Sequence, residues 1–145
     1  MNARMSGPER WEHFSHGADV GVRGVAPTLA GAFEQAALAL TAIVVDPASL
    51  EAEERVEIAC RAPDAELLLV DWLNAIVYEM ATRRLVFGRF EVETDGRSLR
   101  AQAFGRPMDA DEFDLAVEPK GATYTALSVA RGEDGNWTAQ CVVDV

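Results

Sequence analysis

Hydrophobic positions along this chain switch between a period of two and a period near 3.6, and the switches mark its elements. Trp11 to Ser15 reads as a short strand. From Asp19 to Val25, Val20 and Val22 alternate with Gly21 and Arg23, which predicts a second strand interrupted by glycine. Pro27-Thr28 stops it, and Thr28 is placed to cap a helix. Leu29, Ala32, Phe33, Ala36, Ala37, Leu40 and Val44 then recur at helical spacing. They predict a helix from Leu29 to about Val45, ended by Asp46-Pro47 because proline disfavours helical geometry in the residue before it. Glu54 to Arg61 alternates again, with Val56, Ile58 and Cys60 on one face.

Pro63-Asp64 opens a second helix, Ala65 to about Thr82. Leu67, Leu68, Trp72, Leu73, Ile76 and Val77 make it apolar almost all round, and only Asp71, Asn74 and Tyr78 form a polar stripe. Such a helix is mostly buried. After it the chain is strand upon strand. Val86 to Glu93 and Ser98 to Gly105 flank Asp95-Gly96, a hairpin signal. Arg106 to Asp114 reads as a polar loop. Ala122 to Ala130 and Trp137 to Val145 flank Gly132 to Asn136, a second hairpin.

The order is two strands, helix, strand, helix and four strands. That predicts an α+β fold: one two-layer domain over residues 11–145, with two helices on one face of a mainly antiparallel sheet, a mixed sheet being the alternative. Residues 1–10 mix Gly, Pro, Ser and charge, and read as a fraying segment.

Composition narrows the function classes. The chain has 145 residues, 49% of them hydrophobic, enough for a real core. No apolar run is long enough to span a bilayer, and the N-terminus lacks the apolar stretch of a signal peptide, so the expected compartment is the cytoplasm with no membrane contact. The formal charge of −11 disfavours strong direct binding of nucleic acid. It suits a partner with a basic surface, carboxylates around a cation, or solubility alone. Cys60 and Cys141 stand apart among apolar neighbours and read as reduced core thiols, and His13 and His16 are too few to complete a zinc site.

Candidate chemistry is sparse. Asp19 begins an apolar strand, and Asp144 is the penultimate residue after Val142-Val143; carboxylates are disfavoured in both settings unless something compensates. If the last strand is central, Asp144 should be packed rather than dangling. Asp19, Asp144 and the Val145 carboxylate would offer oxygens to a hard cation if their strands are neighbours; otherwise they are turn and terminus carboxylates. Lys120 precedes a strand and reads, on its own, as a solvated turn lysine. There is no GxSxG elbow, phosphate-cradling loop or HExxH, and His16 has no evident Ser or Cys partner.

Several short motifs in consistent order carry a resemblance. His16-Gly17-Ala18-Asp19-Val20-Gly21-Val22-Arg23 resembles the opening motif of the archease family, typically His-Thr-Ala-Asp, a hydrophobic residue, then Gly. Thr28-Leu29 through Ala36-Ala37 and Leu68 through Leu73 look like its helices. Glu118-Pro119-Lys120-Gly121-Ala122-Thr123-Tyr124 is similar to its Glu-Val-Lys-Ala-hydrophobic-Thr-Tyr segment, and Val142-Val143-Asp144-Val145 to its closing hydrophobic-Asp-Ile. The likeness runs from Trp11 to Val145. Three positions depart from it: Gly17 for the usual Thr, and Phe113 and Thr125 for histidines.

The resemblance implies a non-enzymatic activator. Its partner would be the GTP-dependent RNA-splicing ligase that joins tRNA halves, whose guanylylation and turnover it would promote. It implies a divalent cation, calcium first and manganese or magnesium as alternatives, held by Asp19, Asp144 and Val145. It gives Lys120 a part in activity, with His16, Thr123 and Tyr124 beside it in the motifs. Two other readings stay open from the residues alone: a metal-free protein-interaction or chaperone domain, and a metal-dependent phosphoester hydrolase with His16 as base.

Overall fold

A computed structural model of the chain describes residues 9–145. The reading of residues 1–10 as a fraying segment therefore lies almost wholly outside the described residues, and its last residue, Arg10, belongs to a strand.

The elements are strands β1 (Arg10–His16) and β2 (Asp19–Ala26), helix α1 (Leu29–Val44), a 3-10 turn (Pro47–Ser49), β3 (Glu54–Arg61), α2 (Ala65–Arg83), β4 (Leu85–Thr94), β5 (Ser98–Pro107), a short α3 (Ala110–Leu115), β6 (Gly121–Ala122), β7 (Ser128–Arg131) and β8 (Trp137–Asp144). The α+β class holds, and every pairing is antiparallel. The strands divide between two sheets where a single sheet was expected. One runs β1-β2-β8-β6, with β7 also on β8, and the other β3-β5-β4. Alternation tells which face of a strand is buried but not which strand it pairs with, so the partition was open. The helices tie the sheets together: α1 packs on β2 and β8 of one and β4 of the other, and α2 on β3 and β6.

Local chemistry sets the long helices. Thr28 accepts the Gly31 amide at 3.0 Å to cap α1. Asp64 accepts the Leu67 amide at 2.9 Å to cap α2, which stops at Arg84 in left-handed geometry. Ala32, Ala36, Ala37 and Ala39 are all buried, so α1 presents a flat face. Gly24 lets it settle on β2, since a Cβ there would stand 2.1 Å from the Ala32 carbonyl oxygen.

Trp72, Phe33, Phe87 and Leu40 fill the space between the layers. Trp72 Nε1 donates to the Phe33 carbonyl at 3.0 Å and joins the two helices. A bulge at Phe87–Arg89 interrupts the β4–β5 ladder, and the Phe87 carbonyl accepts the hydroxyl of buried Thr41 at 2.7 Å. Cys60 is half-buried and Cys141 buried, both as free thiols.

Two segments differ from expectation. The expected loop 106–114 begins with the last two residues of β5 and continues into α3, which runs to Leu115 and is opened by a capping box between Asp109 and Glu112. Ala122 to Ala130 is not one strand. It breaks into β6 and β7 around a turn in which Ala126 has φ 55°.

Candidate functional site

Three chain segments meet at one end of β8. The β1–β2 hairpin turns through Gly17-Ala18, with His16 opposite Asp19. Gly17 has φ 62° and Ala18 has no positive φ, the pattern of a hairpin loop that calls for glycine first. β2 lies against β8 with Val20 opposite Val143, and one further step in that register sets Asp19 beside Asp144. The Val145 amide donates to Asp19 Oδ1 at 3.3 Å. On the far side of β8, Gly121 stands opposite Asp144, and the Lys120 amide donates to the Asp144 carbonyl at 2.8 Å.

So the fold gathers His16, Asp19, Lys120, Asp144 and Val145 at one tip. β8 lies between β2 and β6, which meets the condition under which Asp144 was expected to be packed, but the Asp144 side chain is exposed and that expectation is corrected. The Asp144 carbonyl is held by the Lys120 amide and the next amide, that of Val145, by Asp19, while the Asp144 side chain is exposed just after buried Val143. Asp19 and Val145 are half-buried, and His16 and Lys120 are exposed.

Thr123 and Tyr124 play different parts. The Thr123 amide and hydroxyl both donate to the Val142 carbonyl at 2.9 Å, and its oxygen accepts the Thr125 amide at 3.1 Å. Thr123 thus builds the turn after β6. Tyr124 is 69% exposed and sits on that turn, where its carbonyl accepts the Leu127 amide. Of the positions that depart from the resemblance, Thr125 closes the same turn, its carbonyl accepting the Val142 amide. Phe113 lies in α3 beneath the Arg84 guanidinium, 5.2 Å from the ring centroid.

One residue beside this tip was not singled out for a role. Asn74 on α2 accepts the Ala122 amide at 2.9 Å and reaches back to the Ala122 carbonyl at 3.5 Å. It pins β6, and with it the start of the Lys120 segment, to the helix. The signal was present, since Asn74 sits in the polar stripe of an apolar helix, but its partner is remote in sequence.

The candidate ligands Asp19, Asp144 and the Val145 carboxylate offer only oxygen, which suits a hard cation in kind. Two aspartates placed side by side across a strand pair repel unless something neutralises them. In number the set is small: among the described residues no group of three or more His, Cys, Asp or Glu side chains could hold a metal. A cation here would draw its other ligands from the Val145 carboxylate, carbonyls and water. Cys141 is no candidate, because burial pushes its thiol up to about 12 and metal binding needs the thiolate.

The sequence model of the archease protein family matches residues 11–145. Protein archease of Pyrococcus furiosus is 37% identical over 140 residues, spanning 94% of this chain and 99% of the relative. That of Methanosarcina barkeri is 34% identical over 142 residues, spanning 94% and 97%. Protein 1598 of Methanobacterium thermoautotrophicum, known from a solution structure, is similar with a TM-score of 0.80 at 28% identity, covering 93% of this chain and 98% of that one. An archease from Thermotoga maritima, described as a possible chaperone, shares the fold with a TM-score of 0.55 at 18% identity, covering 92% and 96%. Among the described residues no helix is long and apolar enough to cross a membrane. This chain belongs to the archease family.

Proposed function

We propose that this chain is a non-enzymatic activator of a GTP-dependent RNA ligase of tRNA splicing and RNA repair, promoting the ligase's guanylylation and its multiple turnover in the cytoplasm. Family membership supports the class of role. The observation that carries the site is the meeting of Asp19, Asp144, Val145 and Lys120 at one tip, through the pairing of β8 with β2 and β6, the main-chain bond from Lys120 to Asp144 and the bond from the Val145 amide to the Asp19 carboxylate.

In this reading Asp19, Asp144 and the Val145 carboxylate hold a divalent cation, calcium first. When bound, the cation supplies positive charge that offsets the paired carboxylates and attracts phosphate oxygens. The chain's own contribution is positional. The Asp19 carboxylate is oriented by the Val145 amide, and the Asp144 backbone is fixed by Lys120. The exposed Lys120 side chain then stands beside that tip to meet a phosphate or a carboxylate of the ligase.

The test is ligation of broken RNA by a purified GTP-dependent ligase with RNA in excess. The ligase alone is expected to stall, and added chain is expected to sustain repeated turnover while joining nothing by itself. Turnover unchanged by the chain, or ligation or phosphoester hydrolysis by the chain alone, would contradict the reading.

A further inference from the structure

A second surface lies along the same stretch of chain. Val44 of α1, Val77 and Met80 of α2, Leu85 of β4, and Met108 and Phe113 on the α3 side line an apolar cleft. Its lining continues through Val117, Glu118 and Pro119, the residues immediately before Lys120. α3 buries none of its own residues. Leu115 at its end is 88% exposed and Val117 is 51% exposed, on either side of Ala116, which lines the cleft. Isolated exposed leucines need no explanation, but Val117 lines the cleft while half exposed, and Leu115 next to the lining residue Ala116 is exposed too, which marks a place where another surface sits.

Charge says what kind of surface. Asp109, Asp111, Glu112, Asp114 and Glu118 fall within ten residues of chain around the cleft. Arg106 engages Glu112 through two guanidinium nitrogens, at 2.9 and 3.1 Å. Among the described residues the other four carboxylates have no ion-pair partner. Of the nearby cations, Arg83 pairs with Glu79, Arg84 lies over Phe113, and exposed Lys120 is a single charge against the four carboxylates. A second copy of this chain would bring a formal charge of −11 and the same acidic rim, so it is disfavoured as occupant.

We infer that the cleft under α3 is a docking surface for a protein partner that inserts an apolar side chain from a segment flanked by Lys and Arg. The apolar anchor supplies most of the affinity, and the acidic rim orients the segment and speeds its arrival. This surface is distinct from the carboxylate tip and does not depend on the partner's being an RNA ligase.

The experiment uses the full chain and a fluorescent helical peptide with leucines at i, i+3, i+4 and i+7 and lysines elsewhere, followed by anisotropy. Leu115→Ser/Val117→Ser changes only exposed side chains, and circular dichroism checks that the variant is folded. The wild type is expected to bind the peptide, and the double variant to bind it at least about tenfold more weakly, as is a control peptide with its leucines replaced by serine. No binding by the wild type, equal binding by the double variant, or equal binding of the serine peptide would overturn the inference. A wild-type dimer in sedimentation equilibrium that the double variant dissolves would overturn it too, by making a second copy the occupant. Ligase turnover is read separately, so the two proposals can fail independently.

Discussion

The Lys120 amide donates to the Asp144 carbonyl at 2.8 Å, so a lysine and an aspartate distant in sequence occupy one end of one sheet. On the opposite flank the Asp19 carboxylate accepts the Val145 amide. Asp144 is thus fixed through its backbone while its side chain is exposed, so the proposed part in binding can be tested apart from folding.

Asp144→Ala should leave the metal-free protein nearly as stable as wild type, within about 0.5 kcal/mol, because the side chain is exposed. Calcium should raise the melting temperature of the wild type but not of the variant, and chelation should reverse the rise. At calcium about a hundredfold above the dissociation constant the stabilisation is about 2.7 kcal/mol. Thermal scans with calcium, manganese, magnesium and EDTA read it; an equal rise in the variant would remove Asp144 from the site.

Asn74→Ala removes the acceptor of the Ala122 amide. The expected loss is about 1 kcal/mol in a urea titration, modest because the pair is exposed to water. Asn74→Asp keeps the accepted bond and should recover part of that loss. If both variants are as stable as wild type, Asn74 does not pin β6.

Two glycines differ in what a side chain would cost. Gly17→Thr restores the hydroxyl usual in the family and has open space around it, but the positive φ of 62° makes any side chain strained, by about 1 kcal/mol. Gly24→Ala places a methyl against the backbone of α1 and should cost about 1–3 kcal/mol through displacement of the helix. Denaturant unfolding of both variants checks the magnitudes, and a Gly24→Ala protein as stable as wild type would refute the close packing of α1 on β2.

Glu34 gives the fold a pH dependence. Burial raises its carboxyl above the ordinary range, against the pull of the Val92 amide that donates to it at 2.9 Å. The folded state therefore keeps this proton at pH values where the unfolded chain, near its ordinary 4.5, has lost it. Ionised Glu34 costs stability above its folded pKa, and the cost fades as pH falls towards 4.5. Glu34→Gln keeps an oxygen for Val92 without the charge. It should be more stable than wild type at neutral pH, with the advantage shrinking on acidification; an advantage that grows instead would show the opposite shift.

The long helices can be read from the chain to within a residue, because Thr28 and Asp64 cap them and apolar spacing runs unbroken between cap and stop. α3 is harder. It buries nothing, so no apolar periodicity announces it, and only the Asp109…Glu112 spacing does. The turn at Ala126 is invisible because alanine gives no sign of a positive φ. At the tip, each motif is legible by itself in Asp19, Lys120 and Asp144, but their meeting depends on β2 and β6 choosing opposite sides of β8, which no local pattern states. The exposure of Asp144 was misjudged for a related reason: a central strand buries its middle, and its last residue projects past the core.

The most direct measurement is guanylylation of a cognate ligase with labelled GTP, with and without this chain, wild type against Asp144→Ala. The account predicts strong stimulation by the wild type and its loss in the variant. Stimulation that survives Asp144→Ala, or no stimulation by either protein, would contradict it.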